Sequence, residues 1–259
     1  MSAPDELRLA ERAARAAGEV LLEHYGGPGS EVGHKSSQTD PVSAADHDAE
    51  AAVVGLLRSE RPDDEVLAEE GSGGGEGKSG RRWIVDPLDG TVNFLYGYPA
   101  WCVSIACEDE HGSLVAVVHD PVRGETFSAA RDAGAELNGE PVRVRDEHSL
   151  ESALLATGFG YDSDRRAAQA ETARQVLPRA RDIRRGGSAA LDLAWLAAGR
   201  LDGYWEAGLN PWDWAAGRLL VTEAGGAIEE WREQLAGEEV QSIAAANPAL
   251  LPRIVELVR

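Results

Sequence analysis

Segment 83–94 (WIVDPLDGTVNF) constrains the fold of this chain more than any other stretch. Its first three residues are apolar and predict a short buried strand, which ends in Asp86 and Asp89. Gly90 lets the backbone approach a ligand closely, and Thr91 is suited to open a helix. Hard divalent cations bind carboxylate and carbonyl oxygens, whereas phosphate binds the free amides at a helix start. The segment therefore predicts metal-assisted phosphoryl chemistry at the end of a strand.

The charge of the chain restricts its partners. Among 259 residues there are 45 acidic and 25 basic side chains, which gives a formal net charge of −20. This excess of negative charge argues against nucleic acid or an anionic membrane surface as a main partner. An anionic substrate would need local positive charge, and a bound metal ion is the simplest source.

The two cysteines indicate a reducing compartment. Cys102 and Cys107 are five residues apart in an alternating segment, so a strand places them on opposite faces, where they cannot form a disulfide. Because the sequence also shows no signal peptide and no apolar run of 18 residues, we expect a cytoplasmic protein.

The pattern in residues 1–150 predicts an antiparallel sheet with two flanking helices. One helix reaches about Tyr25 after a capping box at Ser2, residues 29–42 form a polar loop, and a second helix runs from Ser43 to about Arg58. Asn138 and Gly139 form a strong hairpin-turn signal. The predicted strands are 66–68, 83–86, 101–108, 113–119 and 124–130.

The pattern in residues 151–259 alternates between strand and helix, which predicts a mixed or mostly parallel second sheet. The predicted strands are 153–157, 181–185, 201–206 and 240–246. The predicted helices are 163–177, 188–198, 211–224 and one that opens at residues 247–248. We expect the two halves to pack as one compact unit.

A glycine-rich loop at residues 71–80 resembles nucleotide-binding motifs only in its letters. Residues 75–80 match G-x-G-x-x-G, but such motifs require a helix directly afterwards, and here a strand follows. A hairpin connection between two strands is the favoured interpretation.

Three further acids each have a structural and a catalytic interpretation. Glu69 follows the strand at 66–68 and could meet Asp86 at one edge of the sheet. Asp213 lies at the third position of a helix after Asn210, where it could only stabilise the helix dipole by about 0.3–1 kcal/mol, or could be a rigidly held ligand. Asp46 could close a capping box or act as a base or metal ligand.

Two features of the second half could contact a substrate. The turn at residues 184–190 (RRGGSAA) offers free amides at Gly187, Ser188 and Ala189, although it could be an ordinary turn with solvated arginines. Glu206 follows an apolar strand and could bind hydroxyls or an ammonium group. The absence of H-E-x-x-H and G-x-S-x-G motifs argues against a zinc protease or a serine hydrolase.

With these residues identified, the chain resembles the inositol monophosphatase family. Segment 86–94 (DPLDGTVNF) looks like the first signature of that family, and segment 211–217 (PWDWAAG) with 223–226 (EAGG) looks like the second. Segments 40–46, 68–71 and 187–193 match in order and spacing. Val92 and Ser43 stand where the family usually has threonine, and neither is an expected ligand.

The resemblance implies an α+β fold of the sugar-phosphatase type, a layered αβαβα sandwich with an antiparallel first sheet. It also implies two or three Mg²⁺ ions, sensitivity to lithium and a homodimer. Nucleophile activation falls on Glu69 and on the pair formed by Thr91 and Asp46. The implied metal ligands are Glu69, Asp86, the Leu88 carbonyl, Asp89 and Asp213. The implied substrate contacts are Asp89, Gly90, Thr91, Gly187, Ser188, Ala189, Glu206 and Asp213.

The expected function is hydrolysis of inositol 1-phosphate or a similar polyol or sugar monophosphate. Histidinol phosphate is an alternative, with Glu206 facing the ammonium group, and fructose 1,6-bisphosphate is another, with Arg184 or Arg185 as the extra cation. Adenosine 3′,5′-bisphosphate is a weaker alternative. A non-catalytic interaction protein is the alternative of another class, although a scaffold gains nothing from clustered carboxylates.

Overall fold

The structure is a computed structural model that describes residues 3–26, 32–34, 41–75 and 77–259. The helices are α1 (Ala3–His24), α2 (Ala44–Glu60), α3 (Thr91–Leu95), α4 (Ser163–Val176), α5 (Ala189–Ala197), α6 (Pro211–Glu223) and α7 (Leu251–Val258). The strands of the first half are β1 (Val32–His34), β2 (Pro41–Ser43), β3 (Glu65–Ala68), β4 (Arg82–Asp89), β5 (Cys102–Asp109), β6 (Gly112–Asp120), β7 (Glu125–Ala130), β8 (Gly134–Leu137) and β9 (Glu140–Pro141). The strands of the second half are β10 (Leu154–Thr157), β11 (Asp182–Arg184), β12 (Gly203–Ala207), β13 (Ala227–Leu235) and β14 (Glu238–Ala246).

In the described part of the chain these strands form two large sheets and one small antiparallel pair, β1–β2. The first large sheet has the order β3-β4-β5-β6-β7-β8-β9 and is antiparallel except for β3 and β4, which are parallel. The second has the order β11-β10-β12-β14-β13, in which the first three strands are parallel and the others antiparallel. The predicted antiparallel first sheet and mixed second sheet are confirmed.

The two sheets and three pairs of helices stack in five layers. Alternate residues of β4 face opposite sides: Trp83 and Val85 pack with α1 and α2, whereas Ile84 packs with α5 and α6. The second sheet covers the other side of α5 and α6 and buries its outer face against α4 and α7. The predicted αβαβα order is confirmed. Cys102 and Cys107 are free and lie on opposite faces of β5, as their spacing predicts.

Several sequence-based assignments are wrong. Residues 32–34 and 41–43 form β1 and β2, where the sequence predicts only a loop. The loop at residues 71–80 is not a hairpin, because β3 and β4 run parallel. Strand β13 is missed because its charged side chains hide the apolar alternation. Helix α7 begins at Leu251, since Asn247 first accepts hydrogen bonds from the next turn.

Other assignments agree with the structure, and some stay predictions. The Asn138 and Gly139 turn joins β8 to β9, and both residues have positive φ. Ser2, part of the predicted capping box, lies outside the described residues. The division into domains 1–150 and 151–259 stays a prediction. No helix in the described part of the chain has both the length and the apolar character needed to cross a membrane.

Candidate active site

A cavity of about 720 Å³ opens where elements of both sheets meet. Its walls are formed by the ends of β3 and β4, the start of α3, the turn before α5, the end of β12 and the start of α6. Apart from Asp46, every site residue expected from the sequence lines this cavity. These residues are Glu69, Asp86, Leu88, Asp89, Gly90, Thr91, Gly187, Ser188, Ala189, Glu206 and Asp213.

A β-bulge brings the two acids of β4 into the same cavity. Residues three apart in a regular strand point to opposite faces, but the pairing with β5 shifts register between Asp86 and Asp89. The Leu88 amide donates to Asp86 Oδ1 at 3.0 Å, which fixes the first acid within its own turn. The bulge therefore explains why both carboxylates reach one site.

Gly90 is required by the geometry of the turn that follows. Its φ is 100°, in the left-handed region, and a Cβ atom there would lie 3.0 Å from the Ala100 carbonyl oxygen. The same atom would lie 3.1 Å from the Trp101 side chain. The chain can thus enter α3 at this point only with glycine.

Thr91 and Asp46 form a buried pair behind the cavity wall. Thr91 Oγ1 lies 3.2 Å from Asp46 Oδ1 and 3.2 Å from the Leu88 carbonyl oxygen. Asp46 is fully buried in the first turn of α2. The alternative of a capping box depends on Ser43, whose side chain lies outside the described part of the structure. The observed contact places Asp46 next to the threonine hydroxyl.

The turn before α5, in the second half of the chain, holds the Asp89 side chain of the first half. The Ser188 hydroxyl and the Ala190 amide each donate to Asp89 Oδ2 at 2.7 Å. Ser188 is also the N-cap of α5. The sequence assigned this turn to the substrate, whereas the structure shows that part of it fixes a carboxylate across the interface between the sheets.

Asp213 occupies the helix-capping position and also reaches the cavity, while its role as a ligand stays a prediction. Its Oδ2 accepts a hydrogen bond from the Asn210 amide at 2.6 Å, and it also lines the cavity. Close packing of α5 and α6 supports this position: a Cβ atom on Gly217 would lie 2.5 Å from the Leu193 side chain. The small residue behind the acid is therefore needed for helix packing.

The acids repel one another in the absence of a cation. Burial raises the pKa of Asp86 well above its usual value, and the charges of Glu69, Asp89 and Asp213 raise it further. Burial, then the Asp89 charge, raises the pKa of Asp213. The pKa of Asp89 rises to about 6 through burial, although Ser188 and Ala190 oppose the shift. These acids thus disfavour one another's charged forms in the cavity.

This oxygen-rich donor set fits a hard divalent cation. In the described residues no three acidic, histidine or cysteine side chains are gathered tightly enough to form a ready metal cluster. The carboxylates of Glu69, Asp86, Asp89 and Asp213 nevertheless line one cavity, where a cation would offset their mutual repulsion.

Two polar residues near Glu206, Tyr204 and Asp192, were missed by the sequence analysis. Burial raises the pKa of Glu206 to about 7, and the Tyr204 hydroxyl donates to its carboxylate. Burial and the Glu206 charge also raise the pKa of Asp192, which lines the cavity. Asp192 is the single acid in the apolar sequence of α5, and that isolation was the available signal.

These raised pKa values predict how stability depends on pH without metal. A carboxyl group with a raised pKa in the folded state stabilises the fold below its unfolded pKa, and this stability is lost as pH rises through the folded pKa. For Asp89 and Glu206 the window runs from about 4 to about 7. In EDTA we expect a melting temperature about 4 °C or more higher at pH 5 than at pH 7.5. Calorimetry at both pH values tests this, and a higher value at pH 7.5 would contradict the assigned burial.

The sequence and fold of this chain are similar to those of known proteins. The model of the inositol monophosphatase family matches residues 4–259. The chain belongs to this family. The inositol monophosphatase from Anabaena (Nostoc) sp. PCC 7120 has 37% identity and a TM-score of 0.82, with coverage of 99% of this chain and 97% of that one.

Proteins that carry the name SuhB are also similar to the chain. Nus factor SuhB of Escherichia coli (strain K12) is 39% identical over 255 residues, 98% of this chain and 95% of that protein. The extragenic suppressor protein suhB from Bartonella henselae has 35% identity and a TM-score of 0.89, with 98% of each chain covered.

Proposed function

We propose that this protein is a Mg²⁺-dependent phosphomonoesterase that hydrolyses inositol 1-phosphate or a similar polyol or sugar monophosphate. The observation that supports this proposal is the shared cavity, in which four carboxylates meet the start of α3. Family membership supports the same reaction class. The chain itself would supply oxygen ligands, amide donors and a route for one proton.

Five groups would hold the two or three Mg²⁺ ions. They are the carboxylates of Glu69, Asp86, Asp89 and Asp213 and the Leu88 carbonyl. When bound, Mg²⁺ neutralises charge on the phosphate and the leaving oxygen and lowers the pKa of a water molecule. The hydrogen bonds from Ser188 and Ala190 to Asp89, and from Asn210 to Asp213, hold these ligands in place for that purpose.

The remaining residues would orient and deprotonate the attacking water. Glu69 orients it, and Thr91 with Asp46 accepts its proton through their buried contact. The water oxygen forms a bond to phosphorus while the bond to the alcohol oxygen breaks. That oxygen takes a proton from a second water molecule and leaves as the neutral alcohol, and the proton held by Asp46 returns to solvent. The amides of Gly90 and Thr91 bind the phosphate oxygens. No phosphoenzyme is formed.

The alcohol part of the substrate would lie against the opposite wall. Glu206 and the amides of Gly187 to Ala189 offer partners to a ring of hydroxyl groups. Histidinol phosphate would place its ammonium group on Glu206. For fructose 1,6-bisphosphate the relevant cation is Arg185, which lines the cavity, because Arg184 pairs with Asp182 instead.

Phosphate release from a substrate panel tests the proposal. The panel contains inositol 1-phosphate, histidinol phosphate, fructose 1,6-bisphosphate and adenosine 3′,5′-bisphosphate, each with Mg²⁺, with EDTA and with added Li⁺. We expect release from inositol 1-phosphate to be at least about tenfold faster than from the others, to require Mg²⁺ and to fall with Li⁺. Faster release from a different ester would correct the proposed substrate. If no ester shows Mg²⁺-dependent release, the proposed enzymatic activity is contradicted.

The name Nus factor, which the SuhB relatives carry, supports a second candidate function as an interaction protein. The net charge of −20 still favours protein or small-molecule partners over direct contact with nucleic acid. The two functions differ in one respect: an interaction role alone has no need of Mg²⁺-dependent hydrolysis. We further propose a homodimer in the cytoplasm, and light scattering of the purified protein tests the dimer.

A further inference from the structure

A buried carboxylate outside the cavity clamps the turn that follows Glu69. Glu50 lies in α2 and is 1% exposed. Its Oε2 accepts a hydrogen bond from the Glu70 amide at 2.7 Å, and its Oε1 accepts one from the Ser72 amide at 2.8 Å. Both oxygens of one carboxylate are therefore used by two amides of a single turn.

With this clamp, hydrogen bonds hold the backbone on both sides of Glu69. The Glu69 amide donates to the Val85 carbonyl oxygen at 3.2 Å, which ties the end of β3 to β4. After Glu69 the backbone turns at Gly71, whose φ is 89° and whose amide donates to the Ala68 carbonyl oxygen at 3.3 Å, and the chain then returns along β3, where Gly74 pairs with Val66. Between these two backbone contacts, Glu50 holds the amides of Glu70 and Ser72. Arg58, also on α2, adds a bond of 2.7 Å to the Ser72 carbonyl oxygen.

One face of helix α2 thus contacts two separate parts of the candidate site. Asp46 and Glu50 are four residues apart, so they lie on the same side of the helix. Asp46 contacts Thr91 at the start of α3, and Glu50 holds the turn after β3. The rest of that face is buried in the core through Ala49, Val53 and Leu57, which makes the helix a rigid support.

The clamp is unusual in its energetics. Burial of a carboxylate is costly, and among the described residues no cation pairs with Glu50. The turn that it binds lies at the surface, partly exposed at Glu70 and exposed at Ser72. A buried carboxylate whose two oxygens both accept hydrogen bonds from one turn at the surface fixes the position of the neighbouring residue.

We propose that Glu50 is a positioning residue for the metal site, and that it acts by holding the turn that orients Glu69. The inference rests on the proposed function, since it requires Glu69 to bind Mg²⁺. Loss of residues that orient metal ligands commonly weakens metal affinity by about 10–100-fold. We expect Glu50→Gln to weaken Mg²⁺ affinity by about tenfold, because the glutamine amide group cannot accept a hydrogen bond from the second backbone amide.

The chain contains a matched control for this substitution. Glu223, at the end of α6, accepts hydrogen bonds from the Asp132 and Gly134 amides at 2.9 and 2.8 Å. It too clamps two amides that are two residues apart, but it does not line the cavity. Glu223→Gln should therefore lower stability in the same way and leave Mg²⁺ affinity unchanged.

The experiment is isothermal titration of Mg²⁺ into the full-length protein and both variants, with thermal unfolding in EDTA and steady-state kinetics alongside. We expect the Glu50→Gln variant to bind Mg²⁺ about tenfold more weakly and to recover most of its kcat when Mg²⁺ is raised. Should it fail to fold, Glu50→Asp replaces it, because the shorter side chain keeps the charge but cannot reach both amides.

Each outcome decides the question. Equal Mg²⁺ affinity in the Glu50 variant and the unmodified protein, with normal hydrolysis by the latter, overturns the positioning role and leaves the proposed function standing. Absence of Mg²⁺ binding by the unmodified protein overturns both. Equal weakening in the Glu50 and Glu223 variants shows a general effect of stability, and it also overturns the positioning role.

Discussion

Replacement of Asp213 by asparagine is expected to lower kcat/KM by about a thousandfold, equivalent to about 4 kcal/mol of transition-state stabilisation. Asparagine keeps the size of the side chain, and its carbonyl oxygen can still accept the hydrogen bond from Asn210. The substitution removes a negative charge from the wall where Mg²⁺ would bind. Phosphate release by the purified variant measures the effect.

The same variant should fold at least as stably as the unmodified protein in the absence of metal. Burial and the neighbouring Asp89 charge raise the pKa of Asp213, so a neutral side chain removes an unfavourable charge. Asp202→Asn is the control: Asp202 is buried outside the cavity, where it accepts a hydrogen bond from the Leu154 amide. That change should lower the melting temperature and spare turnover. Normal turnover by the Asp213 variant would contradict its role as a ligand.

Replacement of Thr91 by valine is expected to lower kcat by about a hundredfold with little change in Mg²⁺ affinity. Proton transfer by a positioned side chain commonly contributes about 10²–10⁴-fold to a rate. Valine has nearly the shape of threonine but cannot bind the attacking water or contact Asp46, which lies 3.2 Å from the hydroxyl. Measurement of kcat at saturating Mg²⁺, with titration of the metal, separates the two effects.

Thr126 offers a control for the loss of a buried hydroxyl. Thr126 Oγ1 lies 3.0 Å from His119 Nδ1 in the core of the first sheet, away from the cavity. Thr126→Val should cost stability and leave kcat unchanged. A kcat within about threefold of normal in the Thr91 variant would argue that Glu69 alone activates the water.

Elements with a clear periodic or continuous pattern of apolar residues could be predicted from the sequence. The strands β4, β5 and β6 and the helices α5 and α6 bury continuous or strongly patterned apolar faces, and all were assigned close to their observed bounds. Strand β13 was missed because it lies at the edge of its sheet, where charged side chains are tolerated on both faces. A periodic pattern of apolar residues arises where one face of an element is buried. An element with little buried surface therefore shows no such pattern in the sequence.

The candidate site shows a similar limit. Asp86 and Asp89 were recognisable because two acids directly follow an apolar run. They reach the same cavity because of a β-bulge, and that bulge is set by the pairing of β4 with β5. The contact of Ser188 with Asp89 joins residues 99 positions apart, and no local pattern indicates it. Glu50 was missed for another reason, since its partners are backbone amides, which every sequence contains.

The meeting of both halves at one cavity has a consequence for folding. Asp86 and Asp89 come from the first sheet, whereas Ser188 and Asp213 come from helices that the second sheet covers. A chain with only its first sheet formed would hold some of these carboxylates, yet it would lack the donors that anchor Asp89. Tight binding of Mg²⁺ would therefore develop only after the second half has folded against the first. The time course of Mg²⁺ binding during refolding would report this final docking step.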